Sequence, residues 1–179
     1  MRIGAFLERR RIALSWIVGV VFLASARPVP ATLAAGLIPV IAGAALRTWA
    51  SGHIRKQRRL ARSGPYAFTR NPLYLGSFLM AAGALIMARS SVASLVFVLL
   101  AVPLYLTIMR REEKTLEEKF GEDFLKYRRE VPLFFPRIGR VSADVVPFDW
   151  ELVRKHREWR VWAGITGVTL LLLGRYYLG

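Results

Sequence analysis

The chain has 179 residues, 54% apolar and 22% charged, with a net charge of +15, no cysteine and two histidines. This length suits one domain or a bundle with small appendages. The absence of cysteine excludes disulfides and thiolate metal sites, and two histidines make no metal site without carboxylate help. A charge of +15 also raises nucleic acid as a partner. Here, however, the arginine clusters abut long apolar runs, where the positive-inside bias and anionic lipids place them, and nucleic acid is set aside.

Arg9 to Arg11 precede an apolar run, and Ala24-Ser25-Ala26 has the form of a signal-peptide cleavage site. Further apolar segments follow, so residues 12–26 are read as an uncleaved first span, short enough to need tilt or local thinning. Arg27-Pro28-Val29-Pro30 ends it, and residues 31–50 form a second span. Gly36 and Gly43 allow a close helix approach there, and Arg47 in the last turn is expected to snorkel to the interface. Residues 53–62 carry five Lys and Arg, with His53 where the helix leaves the membrane.

Residues 63–76 read S-G-P-Y-A-F-T-R-N-P-L-Y-L-G. Gly64-Pro65 and Asn71-Pro72 are turn signals, and Pro72 suits the first turn of the helix that follows. Between the turns lie Tyr66, Phe68, Thr69 and Arg70. A third span is expected over 73–88 and a fourth over 92–109. Only Arg89-Ser90-Ser91 separates them, which makes a tight hairpin.

The fourth helix is expected to run past the membrane into a second block, residues 111–136, which begins R-E-E and ends V-P-L-F-F-P. Glu113 and Glu117 share one face there, Leu116 and Phe120 another. Residues 112–130 hold seven of the twelve acidic residues. Glu117, Glu118, Glu122 and Asp123 read as a solvated amphipathic face. Glu112 and Glu113 differ, because a carboxylate at the end of a membrane helix is costly unless paired.

Residues 137–149 read as a linker. Residues 150–159 read as a basic amphipathic helix lying on the membrane surface, with His156 given no role. Residues 161–174 are apolar, flanked by Trp159 and Trp162 and by Tyr176 and Tyr177, in the manner of an aromatic belt. This segment is a fifth span or a re-entrant helix. The connections after the first and third spans carry only Arg27 and Arg89, whereas the basic residues collect before span one and after span two. That asymmetry predicts a cytoplasmic N-terminus and puts both blocks on the same cytoplasmic side.

The fold expected is all-α: a multi-pass transmembrane helical bundle of about five spans with cytoplasmic interfacial helices. It is one integral-membrane domain over 1–179. Residues 1–62 give the N-terminal spans and basic loop, 63–136 the motif region and its hairpin, and 137–179 the linker, amphipathic segment and last helix. No feature of the sequence fixes an oligomeric state.

Together the two blocks resemble the isoprenylcysteine carboxyl methyltransferase family of membrane enzymes, with phospholipid N-methyltransferases as more distant relatives. That family's pattern is G-x-Y, then R-H-P-x-Y-x-G, R-E-E, F-G, a downstream Tyr and V-P. The chain matches it at Gly64, Tyr66, Arg70, Pro72, Tyr74, Gly76, Arg111, Glu112, Glu113, Phe120, Gly121, Tyr127, Val131 and Pro132, and departs at Asn71, where the family usually has His.

The resemblance implies methyl transfer from S-adenosylmethionine to a lipophilic or lipidated acceptor drawn from the membrane, such as an isoprenylcysteine-like carboxylate or a phospholipid amine. The cofactor's ammonium suits a carboxylate and its carboxylate suits an Arg fork. Arg70 and Glu113 are the implied catalytic residues. His53, Tyr66, Arg70, Asn71, Pro72, Tyr74, Arg111, Glu112 and Glu113 are the implied cofactor contacts, and no metal is implied. No two glycines are separated by a single residue, so a Gly-rich dinucleotide fingerprint is absent. The alternatives are a sterol-type membrane reductase using NADPH and a non-catalytic membrane protein whose charges only set topology.

Overall fold

A computed structural model describes residues 11–55, 59–137 and 146–178. Among them every regular element is helical: α1 Arg11–Ser25, α2 Pro30–Ser51, α3 Pro72–Ala88, α4 Ser91–Phe120, α5 Glu122–Glu130, α6 Trp150–Lys155 and α7 Trp159–Leu178. α2, α4 and α7 are long and apolar enough to cross a membrane, and α1 and α3 are shorter apolar helices. These five coincide with the five apolar segments of the sequence. The last is longer than its apolar segment, at 20 residues.

Prolines open α2 and α3, where a missing N–H costs nothing. α3 stops at Arg89, whose left-handed backbone (φ 49°) lets its N–H reach the carbonyls of Leu85 and Ile86. The Ser90 hydroxyl then accepts from Ala93 N at 3.1 Å and caps α4. α4 has 30 residues. At about 1.5 Å per residue it exceeds a hydrocarbon core of about 30 Å, so its last turns project beyond the apolar layer. A π turn, Phe97–Ala101, interrupts it just before Pro103. Proline has no N–H to give the preceding turn, and the wider turn sits where that bond is lost.

α2 and α3 pack antiparallel on facing glycines. A Cβ on Gly36 would lie 2.4 Å from the Gly83 carbonyl oxygen, and one on Gly43 would lie 2.4 Å from that of Gly76. Nothing larger fits at that spacing, which is how helix backbones approach closely in lipid. Ala26, Leu33, Val40, Met87 and Ala88 form a core at this pair, and Leu172 of α7 seats in it. A second core of Phe124, Tyr127 and Val131 lies under α5, covered by Leu60, Leu116 and Phe120.

Arg27 N donates to Ala88 O at 2.8 Å, and Arg175 donates to the carbonyls of Ala24 and Ala26. The ends of α1, α3 and α7 therefore gather with the starts of α2 and α4. Both sequence blocks lie at the opposite end. Residues 56–58 of the basic loop and most of the linker, 138–145, lie outside the described residues, as do the basic residues Arg2, Arg9 and Arg10.

Two expectations are corrected. Residues 150–159 are not one amphipathic helix: α6 ends at Lys155, Arg157 adopts a left-handed φ of 56°, and α7 begins at Trp159. The break turns Glu158 inward. It is 5% exposed and meets Arg47, which pairs inside the protein instead of snorkelling to the interface.

Candidate active site

Block one is shaped by its turns. Gly64 has φ +59°, a conformation that favours glycine, and opens a 3-10 turn over Gly64–Ala67. A Cβ there would also strike the His53 ring at 2.7 Å. His53 is buried, with Nδ1 3.0 Å from Trp49 O and its ring against Trp49 and Phe148. It is a packing post beneath the turn.

Block two then lies along block one. Arg70 N donates to Pro132 O and Arg137 N to Phe68 O, both at 2.9 Å. Thr69 Oγ1 donates to Phe134 O at 2.9 Å, and Asn71 Nδ2 to Leu133 O at 3.1 Å. The Tyr127 hydroxyl donates to Tyr66 O at 2.8 Å. These bonds join residues about sixty positions apart and fix the segment from Tyr66 to Asn71 against the end of α5.

The projecting turns of α4 supply the carboxylates. Arg70 Nη2 stands 2.8 Å from Glu113 Oε1, with side chains 9% and 15% exposed. Arg70 Nη1 donates to Arg128 O at 2.8 Å. The Tyr74 hydroxyl donates to Glu112 Oε1 at 2.9 Å. Burial lowers the Arg70 pKa, and the Glu113 charge opposes that shift, so the guanidinium stays charged. Burial pushes the phenols of Tyr66 and Tyr127 well above their ordinary range, and both remain protonated donors.

These groups surround a cavity of about 320 Å³, a size that suits a small-molecule ligand. Tyr66, Arg70, Asn71, Pro72, Tyr74, Glu112 and Glu113 line it. His53 and Arg111 do not: His53 lies behind Gly64, and Arg111 is on the exposed side of α4. The apolar wall comes from Leu60, Leu116, Phe120 and Phe124, with Tyr127 beside them. Sequence reasoning passed over Phe124 and gave Tyr127 only a pattern match. The i, i+4 pairing of Leu116 with Phe120 was the available signal for that wall.

Glu113 Oε1 has the Arg70 guanidinium as its partner, at 2.8 Å. Two polar atoms of the cavity residues, Tyr66 Oη and Arg70 Nε, are buried without a hydrogen-bond partner. Buried polar groups left this way are costly, and a polar ligand in the cavity would satisfy them. Among the described residues, no group of three or more His, Cys, Asp or Glu side chains is placed to hold a metal ion.

Comparison with known proteins gives several relatives. The chain is 32% identical over 117 residues to the cobalt-zinc-cadmium resistance protein CzcN of Cupriavidus metallidurans, covering 64% of this chain and 54% of that one. It is 31% identical over 124 residues to the protein-S-isoprenylcysteine O-methyltransferase of Rattus norvegicus, covering 63% and 44%. It is 40% identical over 77 residues to the methanethiol S-methyltransferase of Crocosphaera subtropica, covering 43% and 29%. The chain thus spans about half the length of the first of these relatives. No solved structure gives a significant match. The phospholipid methyltransferase model matches residues 33–123, from α2 through the Arg70–Glu113 pair to the start of α5. That match takes in just over half of the 179 residues and the polar side of the cavity, and the chain belongs to the phospholipid methyltransferase family.

Proposed function

We propose that the protein is a membrane methyltransferase that uses S-adenosylmethionine, with the cavity between the two blocks as the cofactor site. The observation that carries this reading is the buried Arg70–Glu113 pair lining the cavity, with Tyr66 Oη and Arg70 Nε left without partners. Their chemistry fits the cofactor's amino acid end. Glu113 and Glu112 suit the ammonium, and the Arg70 guanidinium suits the carboxylate. The Tyr66 hydroxyl and the apolar wall of Leu60, Leu116, Phe120 and Phe124 suit the adenosine. When bound, the cofactor supplies a methyl group already activated on a sulfonium.

The chain's own residues then have little bond chemistry to do. The buried ion pair orients, the aromatic wall excludes water, and the helix ends align an acceptor for in-line attack. The acceptor is lipophilic and comes from the membrane, in keeping with a cavity at the end of an apolar bundle. The names of the relatives support such chemistry on an isoprenylcysteine and on a thiol. The cavity end faces the cytoplasm, where the Lys and Arg asymmetry puts it.

Calorimetry with purified protein and S-adenosylmethionine, in the presence of a chelator, tests the reading. Glu113→Gln keeps the shape and removes a charge-assisted interaction worth about 1.5–3 kcal/mol. Binding should weaken by about ten- to a hundredfold. Arg70→Lys should also weaken it, because a point charge does not replace a fork. Glu122→Gln, on the exposed start of α5, should change nothing. Saturable NADPH binding without S-adenosylmethionine binding would move the protein to the reductase class. Transfer of labelled methyl into membrane lipid extracts would identify the acceptor.

Orientation is tested by Arg89→Cys and Lys114→Cys in this cysteine-free chain, since both positions are exposed and lie at opposite ends of the bundle. Only Lys114→Cys should label from the cytoplasm. Labelling of both from one side would overturn the topology.

A further inference from the structure

Glu158 is a buried carboxylate that the cavity does not use. It stands at the head of α7, outside the residues matched by the family model. Arg47 of α2, 111 positions earlier, holds both its oxygens: Nη2 donates to Oε1 at 3.0 Å and Nε to Oε2 at 3.3 Å. The third nitrogen of Arg47 is also engaged. Nη1 donates to the Ser77 hydroxyl at 2.7 Å and to the Leu73 carbonyl at 3.2 Å. One guanidinium therefore ties the head of α7 to the first turns of α3.

What α3 carries there is the cavity. Pro72, Leu73 and Tyr74 all line it, and Tyr74 donates to Glu112. The Leu73 carbonyl is one of the atoms held. The charges of Arg47 and Glu158 also bear, in opposite senses, on the Tyr66 phenol. A surface anchor for α7 would need none of this. An exposed pair is worth little, whereas here Glu158 is 5% exposed and sits at a left-handed break in the chain that turns it inward. Burying a carboxylate beside a membrane helix is costly without such a partner.

We propose that Glu158 is a positioning residue for the cavity: through Arg47 it fixes the first turn of α3, so that α7 is a required part of a site it does not line. This rests on reading the cavity as the cofactor site. Arg47 supplies geometry, because its planar fork presents two donors to Glu158 while the remaining nitrogen meets α3. Glu158 supplies the charge that keeps the fork in that orientation.

The test uses the full chain in detergent with Glu158→Gln, which keeps the size and one acceptor oxygen, and Glu158→Asp, which keeps the charge. Two readouts are needed. The first is amide hydrogen exchange of a peptide covering residues 72–78, compared with one covering 82–88. In Glu158→Gln the first should exchange about three- to tenfold faster and the second should be unchanged, with Glu158→Asp closer to the parent. This readout involves no cofactor. Equal exchange in parent and Glu158→Gln would overturn the proposal. So would a fall in melting temperature with exchange over 72–78 unmoved, since Glu158 would then only anchor α7.

The second readout is affinity for S-adenosylmethionine, expected to fall about three- to tenfold in Glu158→Gln and to recover in Glu158→Asp. Unchanged affinity alongside faster exchange would also overturn a positioning role. A parent that binds no S-adenosylmethionine would defeat the reading of the cavity as the cofactor site. The exchange comparison would still decide whether Glu158 holds the first turn of α3.

Discussion

The α2–α3 pair and the α7 helix are held by different means. α2 and α3 meet backbone to backbone, through Gly36 and Gly83 and through Gly43 and Gly76. α7 is pinned by a few polar contacts: Glu158 to Arg47 at one end, Trp162 Nε1 to Thr48 Oγ1 at 3.1 Å, and Arg175 to the carbonyls of Ala24 and Ala26 at the other. Of its side chains only Leu172 is fully buried, and Gly164, Gly167 and Gly174 face open space. In lipid there is no hydrophobic drive to bring helices together, so close packing and hydrogen bonds must do it. The inner pair uses the first and the outer helix the second. The cavity is built on the first and, by our inference, trimmed by the second.

One substitution made in both places breaks the comparison most sharply. Gly43→Ala puts a Cβ 2.4 Å from the Gly76 carbonyl oxygen. The pair must separate, at a cost of about 1–3 kcal/mol, and the melting temperature in detergent should fall clearly. Arg175→Gln removes a charged donor from the last carbonyls of α1 and should cost about 1 kcal/mol in the same assay. Gly167→Ala meets nothing within 4 Å. It should be neutral or stabilise by about 0.5–1 kcal/mol, since glycine loses more freedom than alanine on entering a helix. A Gly43→Ala protein as stable as the parent would mean that the inner pair is not closely packed. A damaging Gly167→Ala would mean that the open face of α7 is covered by something else.

The inner pair was legible in the sequence and the outer pins were not. Hydropathy and loop charge place five apolar helices, and the spacing of Gly36 and Gly43 marks the close face of α2. The turn signals place Pro72 at the start of α3, and the cost of a carboxylate at a membrane helix end singles out Glu112 and Glu113. Arg70 then meets Glu113 as expected from their shared end of the bundle.

The Arg47–Glu158 pair had no local signal. Arg47 lies at the end of an apolar span and Glu158 in a basic stretch, both read as interfacial, and only the three-dimensional meeting of residues 111 positions apart distinguishes them. His53 misled for a related reason: its place at a helix end suggests a ligand contact, yet its ring fills the space beneath Gly64. The aromatic wall was partly hidden because Phe124 and Tyr127 lie in a charged helix whose burial depends on packing under block one.

Asn71 carries a consequence for how the two blocks respond to pH. Its amide donates to the Leu133 carbonyl and helps bind the two blocks together. The resembled family usually places histidine at this position. An imidazole there would change protonation state near pH 6.5, and its bonding with it. An amide does not titrate, so this tether is the same at mildly acidic as at neutral pH. The latch between the blocks is therefore blind to acidity, and any pH optimum of the protein must be set elsewhere.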